Sequence, residues 1–175
     1  MQIKLCFIAA GASAVLAASS AWAAEPPDQQ FMKEAIQGNL AEVKVGQLAE
    51  RKGATQAVKD FGALLAKDHA AANDKARRVT SSLGMKAPSG PGVKQEAMYR
   101  AMSVLSSETF EHHFVDRMVK DHQDDIATYE REANSGPGPA ADYAKAVLPD
   151  LRKHLQIAQR LQQEDRAGNA SSAPK

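Results

Sequence analysis

VKDFGALLAKDHAAANDKARRV, Val58 to Val79, is the stretch on which the fold turns. Val58, Phe61, Leu65, Ala72, Ala76 and Val79 recur at helical steps and form one broad apolar stripe. The intervening residues are mostly alanine, lysine, leucine and aspartate, with few of the β-branched types that favour strands. His69 is the polar member of the stripe, four residues after Leu65 and three before Ala72.

Three breaks divide the rest of the chain. Lys52 to Thr55 precedes this helix. Met85 to Val93 follows it, with Pro88, Gly90, Pro91 and Gly92, and Ser135 to Pro139 carries Gly136, Pro137, Gly138 and Pro139. The segments between the breaks predict a first helix from about Asp28, as N-cap, to about Arg51, and a second from Thr55 to Gly84. A short extra helix over Lys94 to Val104 comes next, then a third main helix capped by Ser106 or Ser107 and running to Asn134. The fourth spans Pro139 to about Glu164.

The other main helices carry equivalent stripes. Helix one presents Phe31, Ala35, Val45 and Ala49; helix three presents Val115, Met118, Ile126, Tyr129 and Ala133; helix four presents Ala144, Val147, Leu151, Ala158 and Leu161. Four amphipathic helices on short connections make an all-α antiparallel four-helix bundle, with the extra helix between main helices two and three.

Ahead of the bundle, Lys4, the apolar run Leu5 to Leu16 and Ala21-Trp22-Ala23 have the order of a secretory signal peptide, predicted to span residues 1–23. The run is shorter than the roughly 20 residues of a membrane span, and no later segment is more apolar. The expected mature chain is a bundle over residues 24–164, followed by a small, polar tail over 165–175 expected to be disordered. Cys6, the sole cysteine, lies in the signal segment, so disulfides and thiolate ligands are not expected in the mature domain. The 22 basic and 21 acidic residues are interleaved, and nucleic acid is not an expected partner.

Each stripe has a polar residue near mid-height: Glu42 in helix one, His69 in helix two, His122 in helix three and His154 in helix four. At a rise of about 1.5 Å per residue, antiparallel hairpins bring these four to one level. Three imidazoles and a carboxylate suit a single zinc, iron, manganese or copper ion. The same four residues also suit a hydrogen-bonded polar layer that fixes helix register without any metal. Asp68 and Asp121 precede their histidines by one residue, point away from those rings, and read as solvated charges. Pro149 should bend helix four one turn before His154. Met32, Met98, Met102 and Met118 lie on three segments and read as packing residues. His112 and His113, with Glu108 and Asp116, make a second and weaker metal candidate. Without a nucleophile motif or a carboxylate pair on one helix face, an enzyme is not the expectation.

Gly38-Asn39-Leu40-Ala41-Glu42-Val43, the triplets Lys67-Asp68-His69 and Lys120-Asp121-His122, and Leu148-Pro149 followed by His154-Leu155 together resemble the DUF4142 family. The resemblance spans about Asp28 to Gln163. It implies an exported bacterial domain of unknown function, similar to the ferritin-like four-helix class, with Glu42, His69, His122 and His154 at the family's polar positions. The di-iron proteins of that wider class carry Glu-x-x-His on two helices. Here Ala66, Val119 and Leu151 stand three residues before the histidines, so one metal is expected in place of two. The expected role is metal sequestration or stress protection in the periplasm. The alternative is a structural module that meets a protein partner of the envelope.

Overall fold

The computed structural model describes residues 26–171, and the predicted signal peptide lies outside them. Five helices follow one another: α1 (Pro27–Lys52), α2 (Gln56–Ser82), α3 (Val93–Ser103), α4 (Ser107–Ala133) and α5 (Pro139–Ser171). There is no strand among the described residues. None of the helices is long and apolar enough to cross a membrane.

Local chemistry sets the helix ends. Pro27 opens α1 at a position where its missing N–H costs nothing. Asp28 sits in the first turn of α1 and not at the cap, which Pro26 occupies. Thr55 and Ser106 cap α2 and α4 through their hydroxyls, each accepting from an N–H three residues on, at 3.3 Å. Gly84 turns the chain after α2 with a φ of +67°, a conformation glycine adopts without strain.

α5 runs past the predicted end at Glu164 to Ser171. The first residues of the expected tail are therefore helical. Two contacts hold them: the Asp165 carboxylate lies 2.7 Å from His112 Nδ1, and Arg166 reaches Asp116. A stretch that lacks an apolar face still gains helix from polar anchors on a neighbouring helix. Pro149 lies inside α5, and the helix continues through it.

The helices form two antiparallel hairpins. In α1–α2, Gly46 faces Gly62 and Asn39 faces His69; in α4–α5, Asp116 meets Gln162 and Glu130 meets Arg152. The two glycines let the first hairpin close tightly, since a Cβ at either would sit 2.6 Å from the other's carbonyl oxygen. The hairpins are joined by a crossover along the length of the bundle. α3 forms part of it and runs parallel to α1, with Lys44 on Glu96 at 2.6 Å and Lys52 on the Ser103 carbonyl at 2.7 Å. Hairpin, long crossover, hairpin is the connectivity of ferritin-like bundles. Glu111 completes the joint by accepting from both the N–H and the hydroxyl of Thr55, at 2.7 and 2.8 Å.

The apolar core is divided in two. One cluster surrounds Met32, Ile36, Tyr129, Tyr143 and Leu151; the other surrounds Leu65, Phe110, Phe114, Met118 and Ala158. Every predicted stripe residue of α1 and α5 is buried, whereas Val79 and Ile126 are only half-buried. Between the clusters lie Asn39, Glu42, His69, His122 and His154, all buried. A polar layer thus crosses the middle of the molecule.

Candidate metal centre

His69, His122 and His154 come together at the centre of that layer. One ring nitrogen from each lies within 4.8 Å of the others. The three rings come from α2, α4 and α5, and their exposures are 3, 0 and 1 %. Their centroids are 5.3 to 5.7 Å apart. Helical spacing put these side chains at one height, and the α2–α5 and α4–α5 seams then turn them to one point.

A second set of partners orients each ring. Asn39 donates through Nδ2 to the Tyr143 hydroxyl at 2.9 Å, which turns its Oδ1 towards His69 Nδ1 at 3.0 Å. The His69 proton therefore belongs on Nδ1, and Nε2, buried and without a hydrogen-bond partner, carries a lone pair. His122 Nδ1 lies 3.0 Å from the Met118 carbonyl, which can only accept, so the His122 lone pair is also on Nε2. His154 Nε2 lies 3.0 Å from Asp68 Oδ2, which places its proton there and its lone pair on Nδ1. In each ring the outer nitrogen is held by an acceptor and the inner one is left as a donor of electrons. Metal-binding histidines are oriented in this way.

The inner nitrogens of His122 and His154 are 3.3 Å apart. Three contacts in the chain Met118, His122, His154, Asp68 each need a proton, and two neutral imidazoles supply only two. A third proton, or a cation between the two inner nitrogens, would satisfy all three. Burial opposes the proton. Burial and the neighbouring His154 bring His122 down to about 4. Burial, with His122 and His154 beside it, holds His69 well below its usual value. Burial also lowers His154, outweighing the Asp68 hydrogen bond. At neutral pH the cluster presents uncharged rings, the form that binds metal.

Glu42 is buried at the same level but is not part of this group. It faces the side of the bundle covered by α3, in a cavity whose walls include Arg117, Asp121 and Asp125. Counting residues from the helix ends gave its height; its direction around α1 depended on where the neighbouring helices lie. Desolvation, with Asp121 and Asp125 nearby, raises its carboxyl well above the usual range. Burial, with Asp121 and Asp124, pushes Asp125 up to about 7.

Two residues take part that the sequence reading did not assign. Asp68 was expected to be a solvated charge. It does point away from His69, but in doing so it crosses the α2–α5 seam to His154. Asn39 sits four residues after Ala35 and three before Glu42, so a polar gap in the α1 stripe was the available signal. His112 is hydrogen-bonded to Asp165, which raises its pKa, while its ring also meets that of His113 at 5.7 Å between centroids. Met98, Met102 and Met118, from two helices, line the Glu42 cavity together. Among the described residues no pair of bridging carboxylates accompanies the histidines, so the site does not fit the di-iron centre of the wider ferritin-like class.

Neither among curated proteins nor among solved structures does the chain find a match. The family model described as a domain of unknown function, DUF4142, matches residues 13–161, and the chain belongs to that family.

Proposed function

We propose that this protein binds one transition-metal ion at the middle of its bundle, through Nε2 of His69, Nε2 of His122 and Nδ1 of His154. The observation that carries the reading is the set of three inward lone pairs, each fixed by an outward acceptor on the same ring. The 3.3 Å between His122 and His154 also suits the purpose. Two nitrogens about 2.0–2.1 Å from zinc at a tetrahedral angle stand about 3.3 Å apart. Three imidazoles without a thiolate suit zinc, copper(II) or iron(II), and they leave a coordination position for water or a transferred ligand. Sequestration of the ion, or protection of the cell envelope from it after export, is the role this chemistry supports.

Elemental analysis of untagged protein tests the reading. One metal per chain is expected, lost in the double variant H122A/H154A while helicity is retained. Wild-type protein that takes up no zinc, copper or iron at neutral pH would overturn it.

A second reading has its own support: with one further proton between His122 Nε2 and His154 Nδ1, both ring nitrogens of each histidine have protein partners. Such a layer would fix helix register in a structural envelope module. On that reading His154→Gln changes the melting temperature and leaves metal content at zero in both proteins.

A further inference from the structure

Two adjoining cavities lie beside the histidine layer. The outer one, about 240 Å³, has Glu42, Met98, Tyr99, Asp121 and Asp124 in its wall. The inner one, about 350 Å³, is walled by Asn39, His69 and Tyr129 among others. Gly38, Gln95 and Asp125 belong to both. His69 is thus the histidine of the cluster that borders this space, while His122 and His154 line neither cavity.

The carboxylates of the outer cavity differ in their partners. Arg117 holds Asp121 at 2.5 Å, and Lys120 pairs with Asp124. Glu42 is in no such ion pair, Arg117 acting on it only at longer range. It is 7 % exposed, lines the cavity, and leaves Oε2 buried without a hydrogen-bond partner. Asp125, on α4, stands between the two cavities. A hydrated divalent cation is commonly held by one or two carboxylates while keeping several of its waters. A pair of carboxylates leading to an imidazole is an ordered path from hard to softer ligands, along which an ion exchanges water for nitrogen.

Gly38 lies inside α1, where glycine weakens a helix, yet a Cβ added there would meet nothing within 4 Å. It borders both cavities, so a side chain at this position would grow into the space they share.

We infer that these cavities form the entry route for the metal ion, with Glu42 and Asp125 holding a hydrated divalent cation before His69 takes it inward. The inference rests on the three-histidine reading. The incoming ion displaces to water the proton that burial favours on each carboxyl; Glu42 and Asp125 act on the rate of loading, and they are not ligands in the final site.

Stopped-flow loading of chelator-treated protein with cobalt(II), followed by its visible absorption, separates the two ideas. In the E42Q/D125N variant the association rate is expected to fall at least about tenfold, because the ion loses the two groups that exchange a proton for it on the way in. Dissociation should slow equally, so that affinity and the final spectrum are unchanged. Gly38→Leu, which alters no charge, should slow loading by blocking the shared space, with the same final spectrum. Wild-type rates in both variants would overturn the route while leaving the histidine site intact. A changed final spectrum in E42Q/D125N would also overturn it, by making a carboxylate a ligand. If wild-type protein binds no cobalt, the histidine reading falls and the route falls with it.

Discussion

His122 Nε2 and His154 Nδ1 stand 3.3 Å apart in the centre of the bundle, with an acceptor beyond each of the outer ring nitrogens. On the proposed reading, a cation between them, completed by His69, would replace the missing proton. Bound metal should therefore stabilise the fold. With free zinc at a hundred times its dissociation constant, the gain is expected to be about 2.7 kcal/mol, measured by denaturant unfolding with and without chelator.

The outward partners should matter nearly as much as the ligands. Asp68→Ala removes the acceptor from His154 Nε2, and Asn39→Ala removes the acceptor from His69 Nδ1. Each is expected to weaken zinc binding by about 10–100-fold. Competition with a chromophoric chelator reads the effect directly.

Metal-free protein should show two opposed pH dependences. Asp125 has a folded value of about 7, above its unfolded value near 3.8. Its contribution is present in full below the unfolded value and is lost as pH rises through about 7. His122 has a folded value of about 4, below 6.5, so its contribution is lost as pH falls from 6.5 through about 4. The two windows overlap and offset one another between about pH 4 and 6.5, so thermal unfolding should show that Asp125→Asn steepens the fall in stability from pH 6.5 to 4.

Two glycines on one helix should respond in opposite directions to alanine. Gly46→Ala places a Cβ 2.6 Å from the Gly62 carbonyl oxygen and should cost about 1–3 kcal/mol. Gly38→Ala meets open space in a helix interior and should stabilise by about 0.5–1 kcal/mol. Urea unfolding of the two variants against wild type is the measurement.

Periodicity carried most of the fold because the apolar stripes of α1, α2, α4 and α5 are long and their breaks are rich in glycine and proline. It also gave the height of the polar layer, since rise per residue is a property of any helix. It did not give direction. Glu42 shares the histidines' height in the bundle, but it turns towards the α3 side. Asp68 flanks its own ring in sequence, while its partner is a ring on another helix. Both cases depend on which helices are neighbours, and a single chain's spacing does not encode that. The helical extension beyond Glu164 was missed for a related reason: it is held by Asp165 and Arg166 on α4 side chains rather than by apolar burial.

The division of the core into two apolar clusters bears on how the molecule assembles. Each cluster draws residues from both hairpins, so neither half of the core can form until the hairpins dock. The short α1–α2 and α4–α5 turns favour early hairpins, and the long crossover makes docking the later event. His69 and the His122–His154 pair lie on opposite sides of that docking seam. An ion bound across it therefore has little to act on while the hairpins are still separate, and its expected effect is to slow unfolding with little change in the rate of folding.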